Sequence, residues 1–486
     1  MILHDLFSAE DILRCAPQLS LSAPCAMPRR DSRAVCAHDV FFCIRGTRFD
    51  GHTAIADAAA RGACCAVLDD PAFCTAADAI GIPWILLNDT ASAFLPACLA
   101  YYGHPERSMT LLAVTGTNGK TSTAYLLEAV FGADVRHAPT ACFGTVEYRV
   151  AEERYVSSHT TPTPEETALY LSRAHDLGVK TAIFEASSHA LSQGRLSGLH
   201  FEIGIFTGLG EDHLDYHHST EPYFEAKRSL FFSCTRGLVN VDDPHGARLY
   251  ADRAFAGRLT GYSPTDGTAA WRLSALPQAL TDTVCPFIAA NRLAAAACGA
   301  MLGIPIDTAC RAMLAMPPIP GRMELLTDTP FAVYLDYAHT PDALRAALTG
   351  LRHTYPTARL RVLLGCGGDR EREKRPQMGA IAATLADDAV ISEDNSRTED
   401  PLAIFADIVS GIARQHRARI TLIPDRAAAI AHLLSVSQPG DVILLAGKGH
   451  ETTQTDARGT RPFSDRDIAC SCLKQSSDLR KERTFP

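Results

Sequence analysis

The run Thr115-Gly116-Thr117-Asn118-Gly119-Lys120-Thr121-Ser122 carries in consecutive positions the residue types that a polyphosphate requires. Gly116 and Gly119 let backbone N–H groups turn towards phosphate oxygens, Lys120 supplies a point charge to the β/γ region, and Thr121 offers a hydroxyl to magnesium. An apolar stretch, residues 111–115, precedes the run and a helix-like stretch, residues 122–131, follows it, so the segment reads as strand, phosphate loop and helix. Val114 stands where the usual pattern begins with glycine, which makes the loop a variant. A plain glycine turn at a helix start would not need the Lys120-Thr121 pair.

Three other residues could work beside that loop. Glu185 follows the strand-like residues 181–184, and His213 follows residues 201–207 through the segment 208–212, so both are expected at neighbouring strand ends within reach of the phosphates. Magnesium prefers oxygen ligands and keeps several waters, which suits Glu185 better than His213; read alone, His213 is a satisfied structural histidine. Lys227, in Tyr223-Phe-Glu-Ala-Lys227, reads alone as a solvated helix residue, and Asp31-Ser32-Arg33 as a polar turn.

The elements that must position these residues fall into three blocks, as a chain of 486 residues is too long for one hydrophobic core. The expected boundaries are 1–107, 108–328 and 329–486. The first block ends in a helix-like stretch, residues 91–102, and the turn Gly103-His104-Pro105. Pro317-Pro318-Ile319-Pro320-Gly321 interrupts a helical region, and residues 320–329 form the expected hinge. In the third block, strand-like residues 333–335, 361–364, 389–392 and 442–446 alternate with Ala-rich helices, the pattern of a Rossmann-like, doubly wound parallel sheet. The polar groups that follow those runs are Asp336-Tyr337, residues 365–369, Asp394-Asn395 and residues 447–451, and they should share one ligand-binding rim. The fold class is therefore α/β throughout, with a mostly parallel sheet in a central phosphate-loop block.

Composition narrows the partners. Hydrophobic content of 47% and charged content of 21% fit a soluble globular enzyme, and a net charge of -9 argues against nucleic acid as the main ligand. The 16 cysteines lack zinc or redox spacing and read as free thiols of a reducing cytosol. Residues 1–17 show no secretory pattern and no long apolar run follows, so a cytoplasmic, non-membrane protein is expected.

Taken together, Gly116-Thr-Asn-Gly-Lys-Thr121, Glu185-Ala-Ser-Ser-His-Ala-Leu191, Asp212-His-Leu-Asp-Tyr-His217, Asp336-Tyr-Ala-His-Thr-Pro-Asp-Ala-Leu344 and Gly447-Lys-Gly-His-Glu451 resemble the motifs of the Mur ligases, in order and over nearly the whole chain. Asp394-Asn-Ser-Arg-Thr-Glu-Asp-Pro401 looks like the amino-acid loop of the branch that adds a diamino acid. The resemblance implies an ATP- and magnesium-dependent ligase that acts on UDP-MurNAc-L-Ala-D-Glu. The D-glutamyl carboxylate would be phosphorylated to an acyl phosphate, which an amine of the diamino acid then attacks.

It also implies site residues, carried over position by position. Ser32 would contact the uridine nucleotide in the first block, and Thr160, Thr161, Ser187, Gln193 and Arg195 the muramyl dipeptide; His159 replaces an asparagine often found before the two threonines. Gly116 to Ser122, including Thr117, Asn118 and Gly119, with Asn291, Arg322 and Asp336, would hold ATP. Thr121, Glu185, His213 and a carbamylated Lys227 would hold the metal, and Arg375, Asp394, Asn395, Ser396, Arg397, Gly447 and Glu451 the diamino acid. Ser396 departs from the proline of the diaminopimelate type, and Arg397 could grip the far carboxylate of meso-diaminopimelate or only pair with Glu399 or Asp400. Lysine and ornithine stay open as substrates. A folate polyglutamate ligase and a non-enzymatic nucleotide switch are the rival readings.

Overall fold

The computed structural model describes residues 1–7, 10–46, 49–265 and 267–482. Three sheets carry the chain. The first orders its strands Ile12–Cys15, Trp84–Leu87, Cys65–Leu68, Val40–Phe42 and Pro28–Arg29. All its pairings are parallel except that of Ile12–Cys15 with Trp84–Leu87.

The central sheet has nine strands, with Thr110–Thr115 between Phe201–Phe206 and Thr181–Glu185. Those three are parallel, so the loop after Thr115, Glu185 and the segment after Phe206 leave the same edge. Side chains alternate across the strand. Leu112 and Val114 join the core under the helices Lys120–Gly132, Pro286–Met301 and Ile306–Ala315. Leu111 and Ala113 face the opposite core, which continues into the first block through Phe94, Leu95 and Cys98 of the helix Thr90–Tyr101.

In the third sheet the order is Glu324–Thr327, Ala332–Asp336, Val442–Ala446, Leu360–Leu364, Asp388–Ile391 and Ile420–Leu422, parallel but for the first strand. Both faces are covered: Tyr334, Val362 and Leu444 pack on one side, Val333, Leu363 and Ile443 on the other. This is the expected doubly wound sheet. It begins earlier than residue 329, because Glu324–Thr327 completes it as an antiparallel edge. All 16 cysteines are free thiols. Among the described residues no helix is long and apolar enough to cross a membrane.

Candidate active site

Packing of the helix Lys120–Gly132 against the sheet sets the phosphate loop at the carboxyl edge. Gly119 enters the helix with φ 86°, a left-handed conformation that glycine adopts without cost, and a Cβ there would lie 2.7 Å from the Asn291 side-chain oxygen. That closeness places Asn291, expected at the nucleotide, directly against the loop. Lys120 is half-buried and donates to the carbonyls of Gly116 and Thr117, each at 2.8 Å. Burial pulls its ammonium below the ordinary range; Arg322 adds to the shift, while Glu185 and Asp212 oppose it.

Glu185 is buried at the end of its strand, where Oε2 accepts from the hydroxyls of Thr121 and Thr145, both at 2.9 Å, and Oε1 from the Thr145 N–H at 3.0 Å. The Thr145 hydroxyl lies 3.2 Å from that of Thr160. Arg322 reaches Thr121 at 3.1 Å, so the segment that leads into the third sheet touches the phosphate loop. Thr145 was not visible as a site residue in the sequence; it lies on a turn between strands, with no motif to mark it.

Lys227 is 1% exposed, so the solvated reading of it does not hold. Its helix, Thr220–Arg228, turns it inward over the Tyr223 ring at 4.5 Å, and Nζ donates to the Gly116 carbonyl at 2.8 Å. Burial first, then the Lys120 charge, drives this amine well below its ordinary range. Tyr223 is tied to Thr117 by a 3.0 Å hydroxyl pair. His213 adopts φ 57° beside Asp212, with its ring edge-on to His189 at a centroid distance of 4.7 Å; burial lowers its pKa although Asp212 opposes this.

Hard oxygen donors, the Thr121 hydroxyl and the Glu185 carboxylate, converge here, and His213 opens on the same cavity, so the donor set fits a magnesium ion that keeps waters and phosphate oxygens. As an ammonium Lys227 has no lone pair for a metal, and as a neutral amine it is a poor ligand for a hard ion such as magnesium. Only a modified form with oxygens would serve.

The dipeptide residues also come together. Thr161 donates to the Glu185 carbonyl at 2.6 Å and lies 3.1 Å from the Ser187 hydroxyl. Arg195 holds Gln193 Oε1 at 2.8 and 3.0 Å and the Thr161 carbonyl at 3.3 Å. Ser32 stands apart in the first block, on the short helix Ser32–Ala34, where its hydroxyl bonds Asp57 and holds that carboxyl below its ordinary range.

Opposite the phosphate loop, across a cavity of about 730 Å³, stands the rim of the third sheet. Phe287, Ile288, Met313, Pro317 and Ala343 give the cavity an apolar end, and Asp336, Tyr337 and His339 line it nearer the rim. Asp336 is buried, accepts the Met323 N–H at 2.6 Å, and is pushed up by burial to about 6. Gly447 donates to the Asp336 carbonyl at 3.1 Å, which ties the loop after Val442–Ala446 to the end of Ala332–Asp336.

At the rim, Arg397 is half-buried, with Nη1 on the Gly368 carbonyl at 2.7 Å and the Asn395 carbonyl at 3.3 Å. No salt bridge joins it to a carboxylate among the described residues. The two partners considered for it are taken: Glu399 pairs bidentately with Arg375 at 2.7 and 2.9 Å, and Asp400 caps the next helix at Leu402. Arg375 is itself fully buried and also holds Asp407 at 2.9 Å, so it faces the interior and not the cavity. Ser396 is buried as well, its carbonyl accepting from Glu399 at 3.1 Å.

Asn395 bonds Glu451 at 2.9 Å, and Lys448, wholly buried, reaches Glu451 at 2.8 Å and Asn395 at 3.3 Å. Burial raises the Asp394 carboxyl, but Arg426, Lys448, the Asn395 N–H and His339 outweigh it and hold it low. Arg426 and Asp465 form a fully buried pair at 2.7 and 2.8 Å, and Arg426 also holds the Ala446 carbonyl at 2.8 Å, which fixes the rim from below. Lys448 lies within the motif of residues 447–451 but is not among the site residues expected from it, and Arg426 carries no sequence signal.

A phosphate loop across one cavity from Asp336, Tyr337 and His339, with an ionic cluster on the neighbouring loops of the same sheet, fits a class: a multidomain, ATP-dependent, amide-bond-forming ligase. The Mur ligase family catalytic domain matches residues 29–94, the Mur ligase middle domain residues 114–295, and the Mur ligase glutamate ligase domain residues 321–449. A UDP-N-acetylmuramoyl-L-alanyl-D-glutamate–2,6-diaminopimelate ligase of Streptomyces coelicolor is 37% identical over 96% of this chain and 97% of its own. The chain belongs to the Mur ligase family. A solved ligase of the same description is 26% identical with a TM-score of 0.66, covering 98% of this chain and 99% of that one. A folylpolyglutamate synthase of Mycobacterium tuberculosis complexed with ADP and AMPPCP shares the fold, at 17% identity and TM-score 0.56 over 73% of this chain and 91% of its own.

Proposed function

We propose that this enzyme joins meso-diaminopimelate to the D-glutamyl carboxylate of UDP-MurNAc-L-Ala-D-Glu, with ATP converted to ADP and phosphate, as a cytoplasmic step of peptidoglycan synthesis. The observation that carries the choice of amino acid is Arg397: a half-buried guanidinium without a carboxylate partner, near Asp394 and Glu451. A diamino acid with a second carboxylate would complete that pair, and one without it would leave a buried charge uncompensated. The names of the relatives agree with this reading.

The assignment divides the work among three units, residues 1–107, 108–328 and 329–486, with the edge strand Glu324–Thr327 belonging by its pairing to the third. Ser32 would contact the uridine nucleotide. Thr160, Thr161, Ser187, Gln193 and Arg195 would hold the dipeptide so that its free carboxylate meets the γ-phosphate. Lys120 would leave the Gly116 and Thr117 carbonyls for the transferring phosphoryl oxygens, and Gly116 to Ser122, Asn291, Arg322 and Asp336 would hold the rest of ATP.

Thr121, Glu185, His213 and carbamylated Lys227 would hold magnesium, which when bound neutralises charge on the phosphates. The depressed basicity of Lys227 supports the carbamate, because carbon dioxide reacts with a neutral amine and not with an ammonium. Phosphate is a good leaving group where a carboxylate oxygen is not. The amine of the diamino acid, oriented by Asp394, Asn395, Arg397, Gly447 and Glu451, then displaces it, and Arg375 and Ser396 act by shaping the loop. Closure about residues 320–329, where Arg322 already spans to Thr121, would bring amine and acyl phosphate together.

The test is ADP release from purified enzyme with UDP-MurNAc-L-Ala-D-Glu and meso-diaminopimelate, L-lysine or L-ornithine. Release dependent on both substrates and fastest with meso-diaminopimelate is expected. Preference for lysine or ornithine overturns the choice of amino acid, and release without the nucleotide substrate overturns the reaction.

A further inference from the structure

Arg397 has φ 53°, the left-handed region that a side-chain-bearing residue occupies only when its surroundings over-determine it. What holds it is a two-stranded hairpin, Thr453–Asp456 with Gly459–Pro462, that follows Glu451 and belongs to none of the three sheets. The Arg397 N–H donates to the Thr455 carbonyl at 3.1 Å, and the Thr455 N–H donates to the Asn395 side-chain oxygen at 3.0 Å. Gln454, 2% exposed, donates from Nε2 to the Asp394 carbonyl at 3.0 Å and accepts from Arg461 at 3.0 Å through Oε1. Arg461 is held in turn by Asp456 at 2.8 Å. Bonds from two adjacent hairpin residues therefore fix Asp394, Asn395 and Arg397 at once.

We infer that this hairpin is the clamp that sets amino-acid selectivity, with Gln454 as its positioning residue: its bond to the Asp394 carbonyl seats the hairpin so that the adjacent Thr455 holds Asn395 and Arg397 towards the substrate, and it does not touch the substrate itself. The inference rests on the reading of Arg397 given above. Physically, a guanidinium discriminates between ligands only while its fork is held in register, because a loosened arginine can swing to solvent and admit a ligand that does not match it. Gln454 suits the role because its amide satisfies a donor and an acceptor in a buried place where water cannot replace either.

The experiment compares wild type with Gln454→Ala, Gln454→Glu, Arg397→Ala and the Gln454→Ala/Arg397→Ala double variant. Steady-state kinetics are measured with meso-diaminopimelate and L-lysine as amines, and each variant is checked for wild-type secondary structure. For Gln454→Ala the expected result is a rise of about tenfold in KM for meso-diaminopimelate, the order that one lost buried hydrogen bond gives, with kcat and the KM values for ATP and UDP-MurNAc-L-Ala-D-Glu within twofold of wild type. Preference for meso-diaminopimelate over lysine should shrink in step. Gln454→Glu retains the acceptor for Arg461 but turns an anion onto the Asp394 carbonyl, and should show the same pattern should the alanine variant not fold. In the Arg397→Ala background, removal of Gln454 should add less than twofold, because a residue that acts through Arg397 has nothing left to position.

An unchanged amine preference in both Gln454 variants, or a full additional effect in the double variant, overturns the clamp. If wild type shows no preference for meso-diaminopimelate, or Arg397→Ala leaves the preference intact, the Arg397 reading fails first, and that outcome is read from different enzymes than the failure of the clamp.

Discussion

The phosphate loop and the ionic rim of the third sheet, which reaches the same cavity through Asp336, Tyr337 and His339, are built in opposite ways. The loop is a single run of chain whose backbone does the binding, and its shape follows from two glycines between a strand and a helix. The rim draws Asp336, Gly368, Asp394 with Arg397, and Lys448 with Glu451 from the ends of four strands, and holds them with side-chain bonds such as Lys448 to Glu451 at 2.8 Å. A backbone cradle depends little on any one side chain for its shape. A rim of charges depends on every partner, since an ion left unpaired in a dry place is costly.

The comparison breaks most visibly at Lys120. Lys120→Ala should lower ATP turnover by roughly a thousandfold while the melting temperature shifts little, because Lys120 leans on its own loop and supports no core. Wild-type turnover in a folded variant would remove the phosphate-loop assignment. Lys227→Ala comes next, with nearly complete loss of activity and partial recovery with short carboxylates. Wild-type enzyme exchanged into ¹³C-bicarbonate should show a carbamate carbon that the variant lacks, and full activity of the variant would end the proposal.

Arg397→Ala tests the rim directly. A loss of about a hundredfold in kcat/KM for meso-diaminopimelate, with far less change for lysine, is expected from one bidentate pair; equal losses for both amines would show that Arg397 only supports the loop. The smallest effect concerns Asp336, which lies where the two regions meet. Its folded-state pKa is raised from 3.8 to about 6, so its contribution to stability is complete below pH 3.8 and is lost as pH rises through 6. Asp336→Asn should therefore gain about 1–3 kcal/mol relative to wild type at pH 7.5, with the gain gone at pH 4, and should weaken ATP binding. Parallel denaturation curves at both pH values would show instead that Asp336 does not titrate in this window.

Residues 111–131 were legible as strand, loop and helix because all the information is local: an apolar run, glycines, then a helical pattern. The third sheet was legible for the same reason, as residues 333–335, 361–364 and 442–446 are runs in which only Arg361 is charged, buried on both faces. Its first strand, Glu324–Thr327, was not, since four residues, Glu-Leu-Leu-Thr, are too few to carry a periodic signature and its edge pairing with Ala332–Asp336 is not written in the sequence.

By itself the sequence determined the α/β class, the nucleotide loop and the set of ionisable residues available to the rim, because spacing and periodicity are properties of the chain. Only the tertiary structure decided which of those residues are free to act. Arg375 and Arg397 look alike in sequence, but Glu399 and Asp407 pair with Arg375 in the interior, while Arg397 meets only carbonyls. Lys227 looks like a solvated lysine, but the fold buries it beside Lys120, and burial next to a like charge lowers the basicity of its amine. Charge pairing and desolvation depend on what the folded chain brings within a few ångströms, and sequence separation does not report that distance.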